Sequence, residues 1–150
     1  TSLVRDWSSD VCSSDLICVP SVRLDTLGGF LWVNLDDDAA SLSDTVPDIE
    51  DELLALAPSA AGRTLTHRRT HLVSANWKLA VENYNECYHC PNVHKSFTKG
   101  VVSPGSYRIT GRGQTIRHSA EAPASTGYAL AEGGQPYESF FVFPVSSIQC

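Results

Sequence analysis

Three observations in this 150-residue sequence predict an α+β fold, an antiparallel sheet with helices. The stretches around 17–35 and 137–145 are rich in β-branched and aromatic residues and read as strands. The stretch from Asn76 onward repeats its apolar residues with a helical period. Strand, helix and strand segments then follow one another in a chain with room for one domain. A 42% hydrophobic composition with no apolar run near the roughly 18 residues of a membrane span indicates a soluble globular chain. The net charge of −6 argues against nucleic acid, whose phosphates call for clustered Lys and Arg. Five Cys, an odd number without a secretory signal, suit a reducing cytoplasm and argue against a disulfide framework.

Residues 1–16 break the pattern. Asp6 to Leu16 repeats Ser-Ser-Asp, has neither helical nor strand period, and matches one reading frame of a common sequencing adapter. Residues 1–16 are therefore expected to be non-native, with native sequence starting near Ile17. Val19, Val22 and Leu24, the Gly28-Gly29 pair, and Phe30 to Leu35 then read as two strands joined by a glycine turn. Asp36-Asp37-Asp38 lacks the spacing of a calcium loop and reads as a solvated turn. Pro47 to Leu56, with acids in its first turn and Pro58 after it, reads as a short amphipathic helix.

Thr64 to Val73 is Thr-rich and reads as a strand with His67 and His71 on one face. At ~3.3 Å rise per residue those two rings lie more than about 10 Å apart and cannot share an ion. Ser74-Ala75-Asn76 can cap the next helix, in which Trp77, Val81, Tyr84 and Tyr88 form an apolar stripe and Glu82, Glu86 and His89 a chemical one. Pro91 places the end of that helix near His89 or Cys90, with His94 in a turn beyond. Lys95 to Pro104 reads as a loop. Tyr107–Ile109 and Gln114–His118 read as a hairpin around Gly111 and Gly113, Ala120 to Gln135 as a Gly/Ala/Pro-rich loop, and Tyr137 to Val145 as an aromatic strand. Cys150 falls in mid-pattern, so a C-terminal truncation is expected.

His89 and His94 are candidate ligands for iron(II), which in oxygenases takes two imidazoles and one carboxylate on one face and keeps the opposite positions open. A bare His-x4-His pair also arises by chance. Cys87, Cys90 and His94 could instead form part of a zinc site, although one ligand is missing and no second Cys pair appears. A redox C-x-x-C fits poorly, because these thiols sit at a helix C-terminal end. A non-catalytic domain that keeps only the fold is the remaining alternative.

Asn76-Trp77-Lys78, Glu82-Asn83, Glu86, Cys87-Tyr88-His89-Cys90-Pro91 and Val93-His94 together resemble the iron motif of a known family. The family is the oxygenase (alpha) subunits of Rieske non-haem iron ring-hydroxylating oxygenases. The likeness extends to Gly29–Asp36, similar to the last strand of that family's Rieske domain, and to 138–145. It implies a division into 17–38, the remnant of a Rieske domain, and 39–150, the first part of a helix-grip catalytic domain. It also implies that His89 and His94 ligate the mononuclear iron and that Glu86 carries electrons to it across a subunit boundary, with Glu82 and Asn83 supporting the site. A Glu at position 86 resembles the branch acting on carnitine, choline and related quaternary amines; aromatic ring-hydroxylating dioxygenases are the alternative within the family.

For the intact parent the resemblance implies Fe(II), a [2Fe-2S] cluster fed by NAD(P)H through a separate reductase or ferredoxin, dioxygen and a small organic substrate to be hydroxylated or demethylated. It further implies a homotrimer, with no nucleic acid or membrane partner. Two features depart from the family. No His precedes His67, so the cluster motif C-x-H…C-x-x-H is absent, and the third iron ligand, a carboxylate, is expected beyond Cys150, since Glu121, Glu132 and Glu138 lack its local pattern. The chain is thus expected to be a truncated fragment, inactive alone.

Overall fold

The computed structural model describes residues 22–124 and 137–150. Residues 1–21, with the adapter-like segment, and most of the Ala120–Gln135 loop lie outside them. The first element is a hairpin, β1 (Arg23–Leu27) paired antiparallel with β2 (Phe30–Asn34). Its two-residue turn needs positive φ at both positions, and Gly28 (61°) and Gly29 (85°) supply it. Gly28 also has to lack a side chain, because a Cβ there would overlap Leu53. Asp36 to Asp38 form the expected exposed turn, in which the Asp38 amide donates to the Asp36 carboxylate.

Two helices follow. Ser41 accepts from the Asp44 amide and caps α1 (Leu42–Thr45). Glu50, Asp51 and Glu52 occupy the first turn of α2 (Ile49–Leu56), where the partial positive charge of the helix terminus favours them. The buried face of α2 presents Ile49 and Leu53. Downstream, β3 (Arg108–Arg112), β4 (Thr115–Ala120), β5 (Tyr137–Val142) and β6 (Ser146–Gln149) form a four-stranded antiparallel meander in sequence order.

In β5, residues 138–142 are all buried, which a strand shows when both faces are covered. Phe140 and Val142 join Leu27, Val46, Ile49 and Leu53 in the core on one face. On that face Glu138 receives two bonds from the Arg117 guanidinium, at 2.8 and 3.0 Å, and Arg117 also reaches Glu52 of α2 at 3.2 Å. The opposite face carries Ser139 and Phe141 from β5 and, opposite Ser139 in register, His118 from β4. There the sheet meets α3 (Trp77–Asn85) through Tyr84, whose ring lies 5.8 Å from both His118 and Phe141.

Several expectations from sequence need correction. Thr64 to Val73 forms no strand and pairs with none among the described residues, and Leu65 and Leu72 are exposed. Strand propensity alone does not make a strand without a neighbour to complete its hydrogen bonds. The 95–104 stretch contains a helix, α5 (Lys95–Gly100), and the aromatic strand stops at Val142, turns through a cis Phe143–Pro144 bond and returns as β6. Among the described residues no helix is long and apolar enough to cross a membrane.

Candidate metal centre

Asn76 opens α3 as expected, its side chain accepting from the Lys78 amide at 3.0 Å. The helix then ends four residues earlier than its period suggests. Asn85 turns its amide back to donate to the Val81 carbonyl at 2.9 Å, and the next residue, Glu86, is extended (φ −114°, ψ 153°). A side chain that bonds the local backbone competes with continuation of the helix. Tyr88 therefore leaves the apolar stripe and is 91% exposed. Pro91, read as a terminator, instead lies in the first turn of a new helix, α4 (Cys90–Val93), where its fixed φ is favourable and its missing N–H costs nothing.

The turn between α3 and α4 assembles the candidate site. The Glu86 Oε1 atom lies 2.5 Å from His89 Nδ1, while Oε2 accepts from the Tyr88 amide at 2.5 Å. The Asn83 amide donates to Glu86 Oε1 at 3.3 Å. Asn83 Nδ2 is also 3.3 Å from His89 Nδ1, but two donors cannot bond each other, so with Nδ1–H committed to the carboxylate this is a contact only. The hydrogen bond from His89, followed by the backbone bond from Tyr88, holds the Glu86 carboxyl below the usual carboxylate range despite partial desolvation. His89 is left with Nε2 as its free donor atom, the arrangement in which a carboxylate fixes the tautomer of a ligating histidine.

His94 ends α4 and opens α5, which brings its ring edge-on to His89 with centroids 4.9 Å apart. Two imidazoles are thus side by side, one oriented by a carboxylate. The donor set fits the histidine half of a non-haem iron centre. Among the described residues no group of three or more His, Cys, Asp and Glu side chains could hold a metal ion, so no carboxylate completes the pair there.

The other candidates fall outside this cluster. Glu82 is exposed and contributes only its backbone carbonyl, which accepts from the Glu86 amide at 3.1 Å. Helical periodicity placed Glu82 beside Glu86, and the break at Glu86 separates their side chains. Cys87 and Cys90 are joined as a disulfide, which corrects the expectation of reduced cysteines and leaves no thiolate for the alternative zinc site. His67 is bonded by Arg69 in the exposed 63–73 segment, remote in sequence from the cluster. Glu138 is engaged by Arg117. Cys87-Tyr88-His89 has the C-x-H spacing, but Cys87 is held in the disulfide and no C-x-x-H pair occurs in the sequence, so a [2Fe-2S] group does not fit this chain.

One functional feature escaped sequence reasoning. His118, 1% exposed, bonds Tyr107 Oη through Nδ1 at 3.0 Å and Asn85 Oδ1 through Nε2 at 3.1 Å. Burial lowers its pKa, so the folded protein keeps it neutral while the unfolded chain protonates near the ordinary histidine value of about 6.5. Below that pH the unfolded state binds the extra proton and stability falls, until the folded ring itself titrates. Urea unfolding at pH 7.5 and pH 5.5 is expected to show this loss in the wild type and a smaller one in His118→Gln.

At the level of fold, the chain matches solved structures of the quaternary ammonium Rieske monooxygenase CntA. One, in complex with an inhibitor, superposes with a TM-score of 0.73 at 23% identity over 85% of this chain and 33% of that one. Another, in complex with L-carnitine, gives 0.69 at the same identity over 85% and 32%. The chain belongs to the ring-hydroxylating alpha subunit family, whose catalytic-domain model matches residues 58–139, more than half of its length. Among curated relatives, the carnitine monooxygenase oxygenase subunit of Escherichia coli (strain K12) is 29% identical over 136 residues, 90% of this chain and 36% of that protein. The glycine betaine monooxygenase oxygenase subunit of Chromohalobacter salexigens is 34% identical over 76 residues, 50% of this chain and 16% of that protein. The chain thus spans about a third or less of the length of these relatives.

Proposed function

We propose that this chain carries the histidine half of a mononuclear iron(II) centre in an oxygenase that hydroxylates or demethylates a quaternary amine. The observation that carries the reading is the Glu86–His89 contact with His94 beside it. His89 Nε2 and a nitrogen of His94 would hold the ion, and a carboxylate from outside the described residues would complete the set. Bound iron(II) would supply dioxygen activation next to the substrate.

The chain's own residues have definable tasks. Glu86 holds the His89 ring in the Nδ1–H tautomer and compensates the positive charge that a ligated imidazole acquires. Its side chain is still 32% exposed, which leaves an edge of the carboxylate open to a group from a neighbouring subunit. That exposure supports Glu86 as the electron bridge of a homotrimeric parent fed by a reductase. Asn83 steadies the carboxylate from the last turns of α3. Similarity to carnitine and glycine betaine monooxygenase oxygenase subunits favours a quaternary amine over an aromatic ring as substrate. A cytoplasmic enzyme is the matching location.

Metal analysis after reconstitution tests the reading. Iron(II) retained by the wild type is expected to be lost in His89→Ala and kept in a Cys87→Ser/Cys90→Ser double variant. Zinc retained by the wild type and lost in the cysteine variant contradicts it.

A further inference from the structure

We propose that His118 is a positioning residue for the metal centre, acting through the Asn85 side chain to set the direction in which the chain leaves α3 and enters Glu86. The proposal rests on the reading of His89 and Glu86 given above.

None of the residues of α3 is buried, and Trp77 and Leu79 are 46% and 59% exposed. Apolar burial therefore does little to fix the helix, and among the described residues it is attached to the sheet by polar bonds and ring contacts of its last two residues. Tyr84 Oη shares a hydrogen bond with Ser139 Oγ at 2.6 Å, in which either hydroxyl can donate, and accepts from Gln149 Nε2 at 3.0 Å. Asn85 Oδ1 meets His118 Nε2. Residues 84 and 85 are thereby tied to β4, β5 and β6.

The protons along Tyr107, His118 and Asn85 can be assigned in one consistent way. The Asn85 amide nitrogen donates to the Val81 carbonyl, which turns Oδ1 toward His118. Oδ1 can only accept, so His118 Nε2 carries the proton and Nδ1 must accept. Tyr107 is the donor at Nδ1, and burial with neighbouring phenols keeps its hydroxyl protonated well beyond neutral pH. Every side-chain polar atom of this partly buried chain has a partner, the condition under which such a network fixes one geometry.

Asn85 is the last residue of α3 and immediately precedes Glu86, whose carboxylate reaches His89 three residues on. A rotation of Asn85 moves the first extended residue of the turn that brings Glu86 and His89 together. The sheet thus provides a fixed reference for the turn, and His118 is the point of contact.

The test is cobalt(II) titration of the whole chain, read by visible absorption, with thermal melting of each variant alongside. His118→Gln keeps a donor at the Nε2 position and is expected to bind like the wild type. His118→Asn is too short to reach Asn85, and Asn85→Ala removes the link from the helix side while leaving the sheet intact; each is expected to lose on the order of tenfold in affinity, with an altered cobalt spectrum. Asn85→Ala keeps the test decisive if His118→Asn fails to fold. Wild-type affinity and spectrum in the folded His118→Asn or Asn85→Ala chain would overturn the proposal, and so would an equal loss in His118→Gln. Absence of His89-dependent cobalt binding in the wild type would instead overturn the metal-centre reading and this proposal with it.

Discussion

Glu86→Ala is expected to weaken cobalt(II) or iron(II) binding by about 10–100-fold while leaving the melting temperature close to that of the wild type. The carboxylate sits on His89 Nδ1 and leaves Nε2 as the nitrogen that would face an ion in the proposed centre, so its removal frees the ring to rotate and to change tautomer. It also removes the negative charge that offsets the ligated imidazole. The global fold should be indifferent, because Glu86 is partly exposed and its bonds stay within residues 82–89. Isothermal titration with the metal checks the affinity, and circular dichroism checks the fold.

Phe140→Ala is expected to cost about 3–5 kcal/mol of folding stability. Phe140 has no exposed surface and belongs to the core cluster that joins β5 to Leu53 and Ile49 of α2 and to Leu27 of the first hairpin. Its ring also lies 5.8 Å from the Arg117 guanidinium, which spans to Glu138 and Glu52. A cavity there removes packing from three elements at once, and the loss is a large share of the ~5–15 kcal/mol typical of a domain. Urea denaturation gives the number, with a drop of less than about 1 kcal/mol contradicting this account of the core.

The two hairpins and α2 were legible because their signals are local. Gly28-Gly29 answers a turn that requires positive φ, and Ile49 and Leu53 lie one helical turn apart behind three acids. The candidate site was legible for a different reason. Residues three apart are neighbours on a helix, so Glu86 and His89 were expected to meet; they do meet, although through an extended residue and a tight turn rather than through helix. The same error about the helix misplaced Tyr88 and Glu82, which only a continuous helix would have aligned with the stripe and the cluster. What local pattern could not show is long-range partnership. His118 and Asn85 are 33 residues apart, and nothing in the sequence of β4 marks its histidine as the partner of a helix end. Conversely, Thr64–Val73 has the composition of a strand and lacks only a neighbour among the described residues.

The central claim is that His89 and His94 hold an iron ion together. X-ray absorption at the iron edge of the anaerobically loaded chain tests it most directly. The account predicts nitrogen and oxygen neighbours only, with the outer-shell scattering of two imidazoles that falls to one in His94→Ala. Sulfur neighbours, or a spectrum unchanged by loss of either histidine, would contradict it.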